Sequence, residues 1–400
     1  MSSNQQDNTD LADRPGGVYW YSREDQVQLE TSAVRAVGIA VYVQAGATQS
    51  DAEFLVDERL NKAIQGDFAR GRFDEWAVLG ERVRRGEVNL HPCITVLRET
   101  GASVLLDDVP GAPKALLCRA AMDRAIEKAR TSGIGLAGVR CPAGILTTQV
   151  MQAVKAGMVG IVLTQSYPLV APLGGIRAML GDAPIAFGIP SKQGDPVVLD
   201  MALTNSSATG VRYVGAGRLV ADGQAPGEIR PGLVLDEHGE PTTQASALFF
   251  DTPSDRRRTR GSLLPLGGGH KGYALIFIVT LLCSVLTSTD FPWEPEEIAV
   301  GGLPIGQDRH FGSLHIAIDP AALGSLDEFN SRVSEFIEDV KATPRRPDAE
   351  EIFYPGEQSQ RLRRQRIAED TILLPRGHYE TLRKIAVQVG MSANFPNPGE

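Results

Sequence analysis

The feature that most constrains the fold is a repeated change of hydrophobic period in mid-chain, from helical spacing to a short apolar run. "RAAMDRAIEKARTSG" has apolar residues at helical spacing and leads straight into "GIGLAGVR". "MQAVKAGMVGIVLTQ" repeats the change, with Ala156 and Gly157 closing a helix and Ile161 to Leu163 forming a buried strand. Further short runs, "ASVLLDD", "PIAFGIP", "PVVLDMA" and the late "LHIAIDP", predict more strands. Such alternation builds an α/β domain. Pro184 and Pro190 bracket one strand, which points to a mixed sheet and not a regular doubly wound one.

On either side of this region the pattern is helical. From Ser22 to about Arg85, apolar residues such as Val27, Leu29, Ala33, Val34 and Val37, then Phe54, Leu55, Leu60 and Ala63, predict an α-helical N-terminal segment. Leu326 to Val340 and Arg376 to Val389 predict amphipathic helices. Residues 1–18 and the end "ANFPNPGE" are polar and predicted to be disordered.

A formal charge of −9 argues against a nucleic-acid surface, and Arg256 to Arg260, a compact basic cluster, reads as a solvated loop. Cys93, Cys118, Cys141 and Cys283 are scattered without a C-x-x-C pair, as in a reducing compartment without structural zinc. The N-terminus lacks a basic segment followed by an apolar run, so cytoplasmic residence is expected. Tyr273 to Ser288 is shorter than the roughly 18 to 20 residues of a membrane span and is expected to be a buried helix.

That apolar segment follows "PLGGGHKG". Gly267, Gly269 and Gly272 satisfy G-x-G-x-x-G, but Pro265 breaks the strand that a Rossmann fingerprint requires before its first glycine. Lys271 is followed by glycine and not Ser or Thr, which excludes a Walker loop. Two readings remain. Glycines, helix N-terminal amides and the Lys271 charge could hold a phosphate, or the stretch could be a tight turn into a helix.

The segment "GSLLPLGGGHKGYALIFIVTLL" resembles the "LLPLGGHKGYGL" signature of the malate/L-lactate dehydrogenase type 2 family, which includes sulfolactate, ureidoglycolate and diketogulonate dehydrogenases and Δ1-piperideine-2-carboxylate reductases. "APLGGIRAMLGDAPIAFGIPS", "PVVLDMA", "LDEHGEPTT", "HIAIDP" and "YPGEQSQRLRRQR" resemble other family markers in the same order. The resemblance implies a sulfolactate dehydrogenase-like, non-Rossmann α/β fold with a mixed sheet and a helical domain made from both ends of the chain. It further implies a homodimer, a small-molecule substrate, neither nucleic acid nor membrane as partner, and NADH or NADPH as cofactor. The expected division is residues 1–18 as a tail, 19–135 as the N-terminal part of the helical substrate domain, 136–308 as the cofactor-binding domain, 309–392 completing the first domain, and 393–400 as a tail. Gly268, Gly269, His270, Lys271 and Gly272 match the glycine motif and, with Asp182 and Met201, are the expected cofactor contacts.

The family's proton donor is a His in a Gly-His-Asp-Ser-His-Gly stretch. Here the corresponding segment is "AIQGDFARGRFDEW", with Ala69 in place of the Ser and Arg70 in place of the His. A second family element, Asn-His-Phe-Gly, has become the shortened "CPAGI", and the Thr-Asn after Leu-Gly has become Asp182-Ala183. His91, His238, His310, His315 and His378 read as surface or capping residues. Asp200, which matches the Asp of the family's Leu-Asp-Met-Ala, is either a proton relay, provided that burial raises its pKa, or the cap of a helix starting near Met201. Arg70 and Arg72 hold their protons too tightly for acid catalysis, and either clamp an acidic substrate or face solvent.

The leading expectation is therefore an NAD(P)H-dependent reductase of a small cyclic imine or 2-keto acid, in specialised biosynthesis, with Asp200 and Arg70 as catalytic candidates and Arg70 and Arg72 as substrate contacts. An iminium arrives already protonated, so imine reduction tolerates loss of the His better than ketone reduction does. The alternatives are a non-redox enzyme performing cyclisation, isomerisation or elimination on an acidic substrate, and a non-catalytic pseudoenzyme.

Overall fold

In a computed structural model the described residues are 20–22, 26–68, 70–107, 109–217, 219–221, 224–249, 259–292, 311–391 and 395. Ala69, Arg256 to Arg258, His310 and nearly all of both expected tails lie outside them. Phe395 is described and is buried in the helical core, so the C-terminal tail is tied down at that residue.

The chain runs through β1 (Trp20–Ser22), β2 (Gln26–Glu30), α1 (Thr31–Gln44), α2 (Gln49–Ile64), α3 (Asp74–Arg84), β3 (Val96–Glu99), β4 (Ser103–Leu106), α4 (Lys114–Ser132), β5 (Ile134–Val139) and α5 (Leu146–Lys155). Next come β6 (Val159–Thr164), β7 (Ile185–Ile189), β8 (Val197–Met201), α6 (Ala208–Gly215), β9 (Leu219–Ala221), β10 (Val234–Leu235), β11 (Pro241–Thr242) and β12 (Ser262–Leu263). It ends with α7 (His270–Thr287), β13 (Ser313–Ile318), α8 (Leu326–Ala342), α9 (Glu357–Ala368), β14 (Thr371–Pro375) and α10 (Arg376–Gln388).

The central seven-stranded sheet has the order β3-β4-β5-β13-β6-β7-β8. It is mixed, as the flanking prolines suggested: β4 and β5 are parallel, and β13 pairs antiparallel with both β5 and β6. The expected boundaries near 135 and 308 cut through it, because β3, β4 and α4 precede the first and β13, a central strand, follows the second.

Alternation along the strands gives the sheet two apolar faces. One packs on α4 and α5 through Leu117, Met122, Leu146, Val150 and Val198. The other packs on α6 and α7 through Val211, Ile276 and Leu314. A separate core joins α1, α2, α3 and α10 through Val34, Val56, Trp76 and Leu382. Val27 and Leu29, expected in a helix, lie instead on β2, which pairs with β14.

Helix α7 was expected to be buried, and only one side of it is. Ile276, Val279 and Cys283 face the sheet, whereas Leu275, Phe277, Ile278, Leu281, Leu282, Val285 and Leu286 are exposed. Its 18 residues are long and apolar enough to cross a membrane by length and composition alone, but Ser284, buried, donates to Gln165 Oε1 at 2.6 Å beside the sheet. The helix thus covers the sheet with one face and leaves an apolar stripe without cover among the described residues.

Candidate active site

Lys62 occupies the last turn of α2, on its inward side, and reaches out of the helical layer to the edge strand of the sheet. Its Nζ donates to Asp200 Oδ2 at 3.0 Å and to Thr147 Oγ1 at 3.1 Å. The same Asp200 oxygen accepts from the Thr147 backbone N–H at 3.1 Å and from its hydroxyl at 2.5 Å. The site therefore joins α2, the start of α5 and the end of β8. Asp200 shares a sheet face with Val198, which packs in the α4 and α5 core, because side chains two apart on a strand point the same way.

Asp200 lies in β8, with Met201 as the last strand residue, so the helix it was expected to cap does not exist. The condition for its acting as a proton relay also fails. Burial alone would raise its pKa, but the Lys62 ammonium, the Arg70 guanidinium and the Thr147 hydroxyl outweigh burial and hold it at about 2. Asp200 is ionised at neutral pH.

Segments distant in sequence brace both partners. Arg366 of α9 donates to the Ile64 carbonyl at 2.7 Å, satisfying a C-terminal carbonyl of α2, and Arg363 donates to Asn61 Oδ1 at 2.7 Å. Just before α9, the Pro355 carbonyl accepts from Val198 N–H at 3.0 Å, and a Cβ on Gly356 would come 2.7 Å from the Val198 carbonyl oxygen. The segment "YPGEQSQRLRRQR" thus fixes α2 and β8 relative to each other.

After α2 the chain folds back so tightly that a Cβ on Gly71 would sit 2.4 Å from the Ala63 nitrogen. This turn carries both arginines, and it sends them in different directions. Arg70 Nη1 donates to Asp67 Oδ2 at 3.1 Å, and its charge acts on Asp200 and Asp182. Arg72 Nη1 donates to the Tyr213 hydroxyl at 2.5 Å, with Asp74 Oδ2 at 3.7 Å. Arg70 therefore faces the Asp200 region and Arg72 is engaged against α6. Neither side chain is fully exposed.

Asp182 accepts from the Ser166 hydroxyl at 2.5 Å, and its pKa is raised because burial outweighs that bond and Arg70. Its carbonyl accepts from Leu203 N–H at 2.8 Å. Met201 points to the opposite side of the sheet from Asp200, toward the α6 and α7 core.

The glycine stretch lies close by along the backbone. Leu266 N–H donates to the Leu203 carbonyl at 2.8 Å, and Gly267 N–H donates to Asn205 Oδ1 at 2.8 Å. Gly267 and Gly268 are left-handed, with φ of 71° and 68°, and a Cβ on Gly272 would lie 2.2 Å from the Leu266 carbonyl oxygen. The loop is therefore drawn hard against the first turn of α7. Tyr273 N–H bonds to the Gly269 carbonyl, so the amides of His270, Lys271 and Gly272 precede the in-helix ladder and are free in the helical pattern to bind an anion. Lys271 is exposed, and a Cβ at Gly267 would meet nothing within 4 Å, so the loop's outer side has room for a phosphate. The residues present fit a pyrophosphate-containing cofactor.

His315, expected at the surface, is fully buried on β13, with Nε2 3.1 Å from Ser313 Oγ. No group of three or more His, Cys, Asp or Glu among the described residues is arranged to hold a metal. Lys62 and Thr147 were not anticipated from the sequence. The available signal was a lysine four residues after Glu58 on the stripe of α2 that buries Leu55, a position where an unpaired charge is rare.

The family model for malate/L-lactate dehydrogenase matches residues 29–383. The chain belongs to the malate/L-lactate dehydrogenase family. This member is 31% identical over 349 residues to the malate dehydrogenase of Pyrococcus abyssi, covering 84% of this chain and 88% of that protein. It is also 31% identical over 312 residues to the Delta(1)-pyrroline-2-carboxylate/Delta(1)-piperideine-2-carboxylate reductase of Pseudomonas aeruginosa, covering 75% and 86%. The solved malate dehydrogenase of Pyrococcus horikoshii is similar over 92% of this chain and 97% of its own, with a TM-score of 0.75 and 26% identity. The mixed-sheet, non-Rossmann fold implied by the glycine and C-terminal markers is that of the family. The protein is accordingly an NAD(P)-dependent oxidoreductase, with NADH or NADPH as its cofactor.

Proposed function

We propose that this malate/L-lactate dehydrogenase family member reduces the C=O of a small 2-keto acid or the C=N of a small cyclic imino acid, in the biosynthetic direction. The observation that carries this reading is the convergence of Lys62, Thr147, Asp200 and Arg70 at the edge of the sheet, a few residues from the backbone that holds the glycine loop. The similarity to a pyrroline- and piperideine-carboxylate reductase supports the imino-acid branch.

When bound, the nicotinamide cofactor supplies the hydride. Gly268, Gly269, His270, Lys271 and Gly272 are assigned to its phosphates, through helix amides and one ammonium. Asp182 and Met201, on either side of the β7 and β8 ends, are assigned to its nicotinamide half. The guanidinium of Arg70 is assigned to the substrate carboxylate, for which its planar fork is suited. Arg72, already bonded to Tyr213, holds the turn that presents Arg70. Asp200, as a fixed anion, steadies the Lys62 ammonium next to the reacting group.

The uncovered stripe of α7 supports a homodimer, since a contiguous apolar face of that kind is buried in most stable proteins. Three of the four cysteines are buried as free thiols and the fourth is exposed, which suits the reducing cytoplasm.

The test is a fluorescence titration of wild-type protein and Lys271→Ala with NADH and NADPH. Saturable micromolar binding by wild type, weakened roughly tenfold in the variant by loss of one charged phosphate contact, is expected. Absence of binding to either cofactor by folded wild-type protein would exclude the reductase reading in favour of non-redox chemistry.

A further inference from the structure

The family's histidine acid is gone, yet ketone reduction leaves an oxygen that must gain a proton. Asp200 is held ionised by its cationic neighbours. Arg70 cannot release a proton near neutral pH. Asp182 accepts the Ser166 hydroxyl hydrogen bond, and the buried His315 stands on β13, away from the edge strand.

We propose that Lys62 is the acid that replaces the missing histidine, its ammonium giving the proton that the substrate heteroatom takes up. This rests on the reductase reading above. Three observations converge on Lys62. Its side chain is 10% exposed, so it is held in place without being fully enclosed. Two of its three N–H directions are fixed by Asp200 and Thr147, and no further partner is present among the described residues for the third. Asp200 Oδ2 in turn is locked by the backbone and hydroxyl of Thr147, so the ammonium cannot drift with its counter-ion.

The substrate carbon gains a hydride, with its two electrons, from the dihydronicotinamide, which is oxidised. The π pair of the C=O bond moves to oxygen, which takes a proton as an Nζ–H bond of Lys62 breaks. The product is a 2-hydroxy acid, and the neutral amine left at Lys62 regains its proton from water. An unprotonated cyclic imine takes the same proton on nitrogen and yields a secondary amine, whereas an iminium needs none.

The reading of Lys62 as a structural strut is separated by Lys62→Arg, which keeps charge and hydrogen bonds but cannot give up a proton. General acid catalysis is worth about 10²- to 10⁴-fold, so kcat for pyruvate or another short 2-keto acid should fall by that factor in both Lys62→Arg and Lys62→Ala. NADH or NADPH dissociation constants and the binding of oxamate, read by fluorescence, should stay within about threefold of wild type. Added methylamine should restore part of the lost rate in Lys62→Ala and none in Lys62→Arg. A preformed cyclic iminium substrate should lose far less rate than the keto acid. Recovery of wild-type kcat by Lys62→Arg, with cofactor binding intact, would overturn the role of Lys62 and leave the reductase reading standing. A wild-type protein that binds neither cofactor would overturn both.

Discussion

Lys62 Nζ lies 3.0 Å from Asp200 Oδ2 although 138 positions separate the two residues in the chain. Each side chain is 10% exposed, so the pair is both a join between the helical layer and the sheet and a charge pair screened little by solvent. Replacing Asp200 by Asn leaves a buried ammonium without its anion, and the expected loss is about 3 kcal/mol of stability in urea denaturation. A loss near zero would show that Thr147 and solvent suffice to stabilise Lys62.

The same pair sets an acid limit. Asp200 is depressed to about 2, so its contribution is complete above its ordinary value of 3.8 and is lost as pH falls through about 2. The size is roughly 2 kcal/mol. Denaturation midpoints measured between pH 6 and 2 should drop in wild type, and this part of the drop should be absent in Asp200→Asn.

Glu58, one helical turn before Lys62, has the opposite sign. Burial pushes its pKa up from 4.5 to about 7, with Cys118 and Glu75 adding to the shift and Arg59 and Lys62 opposing it. The folded state therefore holds the proton more tightly than the unfolded state. No penalty exists below pH 4.5, and stability is lost as pH rises through about 7. Glu58→Gln is expected to raise stability by up to about 3 kcal/mol at pH 8 and by little at pH 4.5. Destabilisation of that variant at pH 8 would mean that the carboxylate is ionised and usefully paired.

Two glycines of one loop should behave differently. A Cβ on Gly267 meets nothing within 4 Å, so Gly267→Ala carries only the left-handed backbone cost of about 1 kcal/mol. A Cβ on Gly272 collides with Leu266 backbone at 2.2 Å, which forces the loop off the helix. Gly272→Ala should weaken NADH or NADPH binding at least tenfold by fluorescence titration, and Gly267→Ala by about threefold at most.

If the exposed face of α7 is the contact between two copies, a charge there should separate them. Ile278→Asp combined with Val285→Asp is expected to convert a dimer to a monomer in light scattering, with far-ultraviolet circular dichroism unchanged. A wild-type monomer would contradict this account of the helix.

The α/β architecture was legible because hydrophobic period is local, as in α4 with β5 and α5 with β6. The N-terminal strand was legible in principle, since Val27 and Leu29 are spaced by two and not by three or four, but its partner β14 lies at the far end of the chain. Arg70 could be found because it stands where the resemblance expects a motif residue. Lys62 could not be found in that way, because its meaning depends on Asp200 and Thr147, which only the packing of α2 on the sheet edge brings near. The charge state of Asp200 was not legible for the same reason: burial was foreseeable from an apolar strand, but the two cations that reverse its effect come from elsewhere in the chain.

The most direct test of hydride transfer at this site is the fate of deuterium from NADH or NADPH labelled on one face of nicotinamide C4, followed by mass spectrometry during turnover of a short 2-keto acid and of a cyclic imino acid. The account predicts that one labelled face delivers a single deuterium to the product carbon and the other face delivers none. Product that forms without deuterium from either face would contradict it.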